Sequence, residues 1–219
     1  MSIPQRNTNI GLAAIFGLAV AVLTALYAAV LIAGLMALPA PGEPIQDPWF
    51  TLMELLILCI APCMAAFTVG ARSLVLPEHR AVALLAIVFM SICVAITSVV
   101  HFAILTLSHL PAFAEASWHG LVFGFQWPSL AYALDILAWD VFFPLSAACT
   151  ALSLRRVPEF TRESGMFIVA SALAFAGLAG VPLASMELRN IGIIGYVVFY
   201  PLAVAMLSLK LVRSRARPS

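Results

Sequence analysis

"IGLAAIFGLAVAVLTALYAAVLIAGLMAL", residues 10–38, contains no Asp, Glu, Lys, Arg or His side chain. A helix needs about 20 consecutive apolar residues to cross the hydrocarbon core of a bilayer, and this run exceeds that length. It is also much longer than the ~7–15-residue apolar core of a signal peptide, and no convincing cleavage site follows it. The run therefore predicts a first transmembrane helix rather than a cleaved leader.

The rest of the chain repeats this pattern. The 219 residues are 63% hydrophobic and only 10% charged, whereas about a quarter of a soluble domain is charged. No polar linker separates the apolar runs, so we expect one all-α, polytopic domain covering residues 1–219. The six predicted spans are approximately residues 10–38, 50–71, 81–107, 128–154, 166–186 and 191–209.

The basic residues are distributed unevenly around these spans. Ten of the 11 Lys and Arg residues flank the spans on one side, and Arg189 falls on the other. Because cytoplasmic loops carry an excess of basic residues, both termini are predicted to lie in the cytoplasm. The expected location is the inner (cytoplasmic) membrane, as a multi-pass protein. The ten residues are Arg6, Arg72, Arg80, Arg155, Arg156, Arg162, Lys210, Arg213, Arg215 and Arg217.

Four ionisable side chains interrupt the apolar spans. In the predicted orientation, Glu54, His101 and Asp135 lie one to two turns from the outer face, and Asp140 lies near the midplane. Insertion scales put the cost of a charged residue at a helix centre at about 2.5–3.5 kcal/mol, so such residues turn inward or pair. We expect Glu54, His101 and Asp135 to share an inward-facing cavity and to be the catalytic candidates. The alternative is that they only bond neighbouring helices and fix their packing.

Asp135 and Asp140 are five residues apart in "YALDILAWD", residues 132–140. On a regular α helix that spacing separates two side chains by ~140° around the axis. One face would therefore not hold both carboxyls closely, unless the helix is central and shows both flanks to the bundle. We expect Asp135 to belong to the site and Asp140 to be a structural residue that bonds a neighbouring helix.

Aromatic side chains crowd the same level of the spans. The expected substrate-binding residues are Tyr132, Trp139, Tyr196 and Tyr200, together with Asn190. Aromatic faces beside carboxylates would stabilise a bound cation or a developing carbocation. The long outer loop, residues 108–129, is apolar and aromatic, which favours an interfacial connection over a lid. "GLAG" at 177–180 predicts a close contact between helices.

The sequence lacks the usual signatures of metal, cofactor and nucleotide sites. The spacings of the histidines match no compact zinc motif, and no phosphate-binding loop or dinucleotide fingerprint occurs. We expect no metal, no cofactor and no nucleic-acid partner. The expected partners are membrane lipid and a lipophilic small molecule, and a homodimer remains open.

Three functions are consistent with these features. The first is an acid–base enzyme of the cyclase or isomerase type, acting on a lipophilic, isoprenoid-like substrate, with Asp135 or Glu54 as the acid and His101 as the proton partner. The second is a proton-coupled transporter of a lipophilic cation. The third is a non-catalytic subunit of a larger membrane complex, whose polar groups hold helices together.

Overall fold

The computed structural model describes residues 3–40 and 43–216 of the chain, and the side chains of residues 8–40 and 43–214. Over these ranges the chain is helical and contains no strand. Three residues used to predict the orientation, Arg6, Arg215 and Arg217, have side chains outside the described part.

The described residues form ten α helices. Five helical stretches among these residues are long and apolar enough to cross a membrane, which confirms the prediction of an all-helical, multi-pass membrane protein. These stretches are α1, α2, α3, the rod formed by α6 and α7, and the rod formed by α9 and α10. The helices are α1 (Ile3–Met36), α2 (Trp49–Ala71), α3 (Arg80–Leu107), α4 (Pro111–Ala114), α5 (His119–Phe123), α6 (Leu130–Ile136), α7 (Phe143–Leu154), α8 (Thr161–Leu178), α9 (Met186–Ile194) and α10 (Tyr200–Ala216).

The boundary between the last two predicted spans differs from the expected one. Helix α8 ends at Leu178, and a turn leads to Ser185, whose hydroxyl accepts a hydrogen bond from the Leu188 N–H and caps α9. The predicted span 166–186 therefore included this turn, because an apolar turn looks like a helix in composition. The predicted span 191–209 began too late, since α9 begins at Met186. Consequently Arg189 lies inside a helix and not in an outer turn.

Helix α8 packs between the two rods that contain α6–α7 and α9–α10. Helix α1 packs against α2 and α10, and α3 packs against α2 and α7. Buried serines connect neighbouring helices where lipid offers no hydrogen-bond partners. Their hydroxyls donate to main-chain carbonyls: Ser146 to Ala86, Ser164 to Ala151 and Ser171 to Pro144, at 2.8, 2.9 and 2.8 Å.

The start of α2 is held by a polar contact just outside the helix. Asp47 Oδ1 accepts hydrogen bonds from the Thr51 N–H at 3.1 Å and from the Thr51 hydroxyl at 2.6 Å. The Thr51 hydroxyl thereby lowers the pKa of Asp47 below its usual range. The contact fixes the point at which the chain enters the bundle.

An ion pair between a buried carboxylate and a partly exposed lysine joins α8 to α10 and is called here the basal pair. Glu163 is fully buried, and its Oε1 lies 2.6 Å from Lys210 Nζ. Lys210 also donates to the Glu159 carbonyl at 2.8 Å and keeps 42% of its side chain exposed. The long lysine stem thus reaches inward to Glu163 while its head stays near the surface.

Candidate functional site

Two of the long rods contain a π-helical turn. Leu137–Phe142 joins α6 to α7, and Gly195–Phe199 joins α9 to α10. In both rods a proline, Pro144 or Pro201, follows the turn by two residues. Proline has no N–H and cannot continue the regular hydrogen-bond ladder. The residue before each proline bonds five residues back, as in a π helix. These bonds run from Phe143 N–H to the Ala138 carbonyl and from Tyr200 N–H to the Gly195 carbonyl.

The first π turn brings Asp135 and Asp140 to the same side of their rod. A π turn is closed by a bond to the fifth residue, so side chains five apart return to nearly the same face. Arg189 contacts both carboxylates: its Nη2 lies 2.8 Å from Asp135 Oδ2 and its Nε lies 3.1 Å from Asp140 Oδ2. The expected separation of ~140° assumed an uninterrupted α helix, and the π turn between Asp135 and Phe143 changes that angle.

His101 connects two carboxylates from different helices. Its Nδ1 lies 2.8 Å from Glu54 Oε2, and its Nε2 lies 3.6 Å from Asp135 Oδ1. The second distance suits an ion pair but is too long for a hydrogen bond. Among the described residues, Nε2 has no hydrogen-bond partner, although His101 is only 5% exposed. The imidazole therefore lies between two carboxylates, hydrogen-bonded to Glu54 through Nδ1 and at ion-pair distance from Asp135 through Nε2.

Arg189 is the centre of the remaining contacts. Its side chain is buried, its Nη1 donates to the Tyr132 hydroxyl at 3.0 Å, and its guanidinium carbon lies 4.6 Å from the Tyr132 ring centroid. With Asp135 and Asp140, the described partners use three of the five guanidinium N–H groups. We call Glu54, His101, Asp135, Asp140 and Arg189 the ion cluster.

Close helix packing places Arg189 in this position. A Cβ added to Gly177 would lie 2.8 Å from the Arg189 carbonyl oxygen, and one added to Gly192 would lie 2.9 Å from Asp140 Oδ1. Glycine at these positions therefore lets α9 approach α8 and the first π turn. The close helix contact predicted for residues 177–180 is found here.

The charges of the ion cluster do not cancel. Three carboxylates and one guanidinium give a net charge of −2, and protonation of His101 would still leave −1. An uncompensated charge in a low-dielectric interior is unfavourable, so a proton or another cation is needed to balance the cluster. In the described part of the chain, no further Lys or Arg pairs with these carboxylates.

A cavity of about 240 Å³ borders the ion cluster. His101, Asp135 and Arg189 form part of its wall, whereas Glu54 and Asp140 are not among its described lining residues. Most of the other lining residues are aromatic or aliphatic. The other lining residues are Thr24, Tyr27, Leu31, Ile45, Met53, Ile57, Ile60, Met64, Phe125, Tyr132, Trp139, Asn190, Ile193, Tyr196, Val197 and Tyr200.

The aromatic wall comes from both π turns and from the long loop. Trp139 and Tyr196, one on each π turn, have ring centroids 5.0 Å apart. Phe125, from the loop of residues 108–129, lies 5.7 Å from the His101 ring and 5.4 Å from the Tyr132 ring. The loop thus contributes directly to the cavity and is more than a connection along the membrane surface.

The structure brings together most of the residues expected in the site. Glu54, His101 and Asp135 contact one another in series, and every aromatic residue proposed for substrate binding lines the cavity, as does Asn190. Sequence reasoning missed Arg189, which it placed in a turn, and Tyr27, because α1 carries no charge that would mark it. Whether any of these residues acts in catalysis stays a prediction.

Glu54 and Asp135 contact His101 through its two opposite nitrogens, so the three side chains form a line and do not surround a common point. In the described ranges, no group of three or more His, Cys, Asp or Glu side chains is arranged to hold a metal ion. Comparison with protein-family models, curated proteins and solved structures gives no match to this chain. Its function must therefore be inferred from the site itself.

Proposed function

We propose that this protein is an acid–base enzyme of the cyclase or isomerase type that acts on a lipophilic, isoprenoid-like molecule in the cavity. The observation that carries the proposal is the contact of two titratable side chains in the cavity wall: His101 Nε2 lies 3.6 Å from Asp135 Oδ1, and both residues line the aromatic cavity. Ionisable residues inside a membrane usually mark a functional site. Two neighbouring acid–base groups beside a lipophilic cavity suit the exchange of protons with a bound molecule.

The three catalytic candidates have different chemical roles in this proposal. His101 exchanges a proton with the bound molecule, and Asp135 is the second acid–base group of the wall. Glu54 lies behind His101 and positions it through Nδ1, as a carboxylate commonly orients a catalytic imidazole. Adding a proton at one carbon of the substrate and removing one from another leaves its composition unchanged, as isomerisation or cyclisation requires.

We further propose six membrane crossings, with both termini in the cytoplasm of a cell that carries the protein in its inner membrane. Helix α8 has 18 residues and would span ~27 Å, close to the ~30 Å hydrocarbon core. With Arg189 assigned to the bundle interior, the loops at residues 37–48, 108–129 and 179–185 contain no Lys or Arg. This asymmetry supports the orientation. Reporter fusions after His119 and after Ser219 test it, and a cytoplasmic signal from the first would overturn it.

The enzyme proposal can be tested without knowing the product. Purified protein in proteoliposomes is incubated in D₂O with a panel of linear and cyclic isoprenoid hydrocarbons and alcohols, and deuterium incorporation is followed by mass spectrometry. Acid–base catalysis places solvent deuterium on carbon. His101→Gln should lower the rate by ~10²–10⁴-fold, the usual contribution of such a group.

The matched control for this experiment is His119→Gln. His119 Nε2 lies 3.2 Å from the Ser108 carbonyl oxygen, and His119 is not among the described cavity residues. Its variant should incorporate deuterium at the wild-type rate. Incorporation that is absent from every compound, or equal in His101→Gln and wild type, would refute the proposal.

The net negative charge of the ion cluster favours one second candidate, a proton-coupled transporter of a lipophilic cation. Such a transporter would balance the cluster alternately with a proton and with its cargo. Uptake of ethidium into proteoliposomes, driven by a pH gradient, would support it. Deuterium incorporation without ethidium uptake supports the enzyme, and failure of both assays would favour a non-catalytic subunit.

A further inference from the structure

We propose that the cavity is a binding site for a lipophilic ammonium ion and that it rejects anions, including phosphate- and carboxylate-bearing lipids. The inference rests on the proposed function only in taking the cavity as the ligand site. It applies equally when the positive charge belongs to the bound molecule itself and when it develops on a substrate during proton transfer, since an ammonium ion resembles a carbocation in charge.

The charge of the wall is the first argument. His101, Asp135 and Arg189 line the cavity, and Glu54 and Asp140 lie directly behind them. With its three carboxyls ionised and His101 protonated, the cluster still lacks one positive charge. An ammonium ion in the cavity would supply this charge within a few ångströms of Asp135, whereas an anion would add to the excess.

The positive charge of Arg189 is already compensated by carboxylates of the protein, which disfavours an anion there. A guanidinium that binds an anionic ligand normally offers it a paired set of N–H groups. In Arg189 the Nε and Nη2 groups already donate to Asp140 and Asp135, and Nη1 donates to Tyr132. Two carboxylates thus face a single guanidinium, and its positive charge is fully compensated inside the protein.

The surroundings of His101 are a second argument. Its imidazole lies between two carboxylates, with Nδ1 2.8 Å from Glu54 Oε2 and Nε2 3.6 Å from Asp135 Oδ1. One imidazole can balance only one of these two negative charges, even when it is protonated. A cationic ligand beside Asp135 would supply the missing charge.

The aromatic rings are the third argument. Tyr27, Trp139 and Tyr196 come from three different segments and line the same cavity. Their ring faces attract a cation, and the attraction is stronger where water is excluded. A lipophilic ammonium ion therefore finds a carboxylate and aromatic side chains in one cavity.

Binding of four small probes of similar shape tests the inference. They are N,N-dimethylbenzylamine, which is protonated near neutral pH, benzyltrimethylammonium, the uncharged isostere neopentylbenzene and the anion phenylacetate. Affinity for the purified protein in detergent is measured by calorimetry and corrected for partition into empty micelles. We expect both cations to bind at least tenfold more tightly than the other two, and the amine, which carries an N–H, to bind more tightly than the quaternary ion.

Two variants connect the binding to the cavity. Asp135→Asn removes a wall charge and should weaken both cations by at least tenfold. Trp139→Leu removes a ring without changing charge and should weaken benzyltrimethylammonium severalfold, which keeps the test informative if Asp135→Asn does not fold. Glu163→Gln, at the basal pair, is the control and should bind all probes as wild type does.

The outcomes separate this inference from the proposed function. Binding of phenylacetate or neopentylbenzene as tight as that of the cations would overturn the charge preference while leaving the cavity as a ligand site. Cation binding that is unchanged in both Asp135→Asn and Trp139→Leu would place the cation elsewhere and overturn the assignment. If none of the four probes binds, the cavity is not a ligand site, and both this inference and the proposed function are refuted.

Discussion

The ion cluster and the basal pair both bury carboxylates, but they are built differently. In the basal pair one fully buried carboxylate, Glu163, faces one lysine, and the charges cancel. In the ion cluster three carboxylates face one arginine and one histidine, and the charges do not cancel. The ion cluster also borders a cavity of about 240 Å³, to which neither member of the basal pair contributes among the described residues.

This difference separates a structural use of buried charge from a functional one. A pair whose charges cancel joins two helices and needs no further ion to balance it. A charged cluster beside a cavity needs a proton or a ligand to complete it. Intramembrane charge therefore indicates function in this protein where it is unbalanced and borders a cavity, and indicates packing where it is balanced and lies away from the cavity.

The largest expected effect is the loss of Arg189. Arg189→Met should destabilise the protein by about 3–5 kcal/mol, because it leaves Asp135 and Asp140 buried without their cation. Thermal unfolding in detergent measures the loss. Arg189→Lys keeps a charge but cannot bridge both carboxylates as a guanidinium does. Its melting temperature should therefore lie between those of Arg189→Met and wild type. A melting temperature of Arg189→Met equal to that of wild type would show that the ion cluster is not held by this residue.

The two aspartates of the cluster should differ in function but not in stability. Both contact Arg189, so Asp135→Asn and Asp140→Asn should each cost about 1–3 kcal/mol of stability. Asp135 lines the cavity and Asp140 is not among its described lining residues. Only Asp135→Asn should therefore abolish the thermal shift produced by N,N-dimethylbenzylamine. A shift lost in Asp140→Asn and kept in Asp135→Asn would reverse the two roles.

Two glycines of α8 give a matched test of how Arg189 is positioned. Gly177→Ala puts a Cβ 2.8 Å from the Arg189 main-chain oxygen and should cost about 1–3 kcal/mol through overpacking. Gly165→Ala meets nothing within 4 Å and should be neutral or stabilising by ~0.5–1 kcal/mol, since alanine favours the helix. Unfolding in detergent compares the pair. Equal effects would mean that the close approach of α9 to α8 does not depend on Gly177.

The membrane helices and part of the ion cluster could be predicted from the sequence. Apolar runs of sufficient length indicated the membrane helices, and the cost of isolated charges in lipid predicted that Glu54, His101 and Asp135 would meet. These arguments need only composition and approximate depth. The structure places the three side chains in contact, at 2.8 and 3.6 Å.

The face on which each side chain lies could not be predicted with a regular helical period. Asp140 joins Asp135 because a π turn intervenes, and Arg189 joins both because α9 begins earlier than the apolar pattern indicates. A signal for the π turns was present: "FFP" at 142–144 and "FYP" at 199–201 place a proline inside each apolar run. Proline interrupts the ladder but does not specify how the helix adapts, since α2 contains Pro62 and remains α-helical.

The smallest effect is expected at the basal pair. Lys210→Met removes the cation of Glu163, but Lys210 is 42% exposed, so solvent already screens part of the interaction. We expect a loss of about 1 kcal/mol in detergent unfolding, well below that of Arg189→Met, and no change in the binding of N,N-dimethylbenzylamine. Lys210→Arg, which keeps the charge, should restore most of the stability. A loss as large as that of Arg189→Met, or a change in amine binding, would contradict the distinction between a balanced pair that holds two helices together and an unbalanced cluster that awaits a ligand.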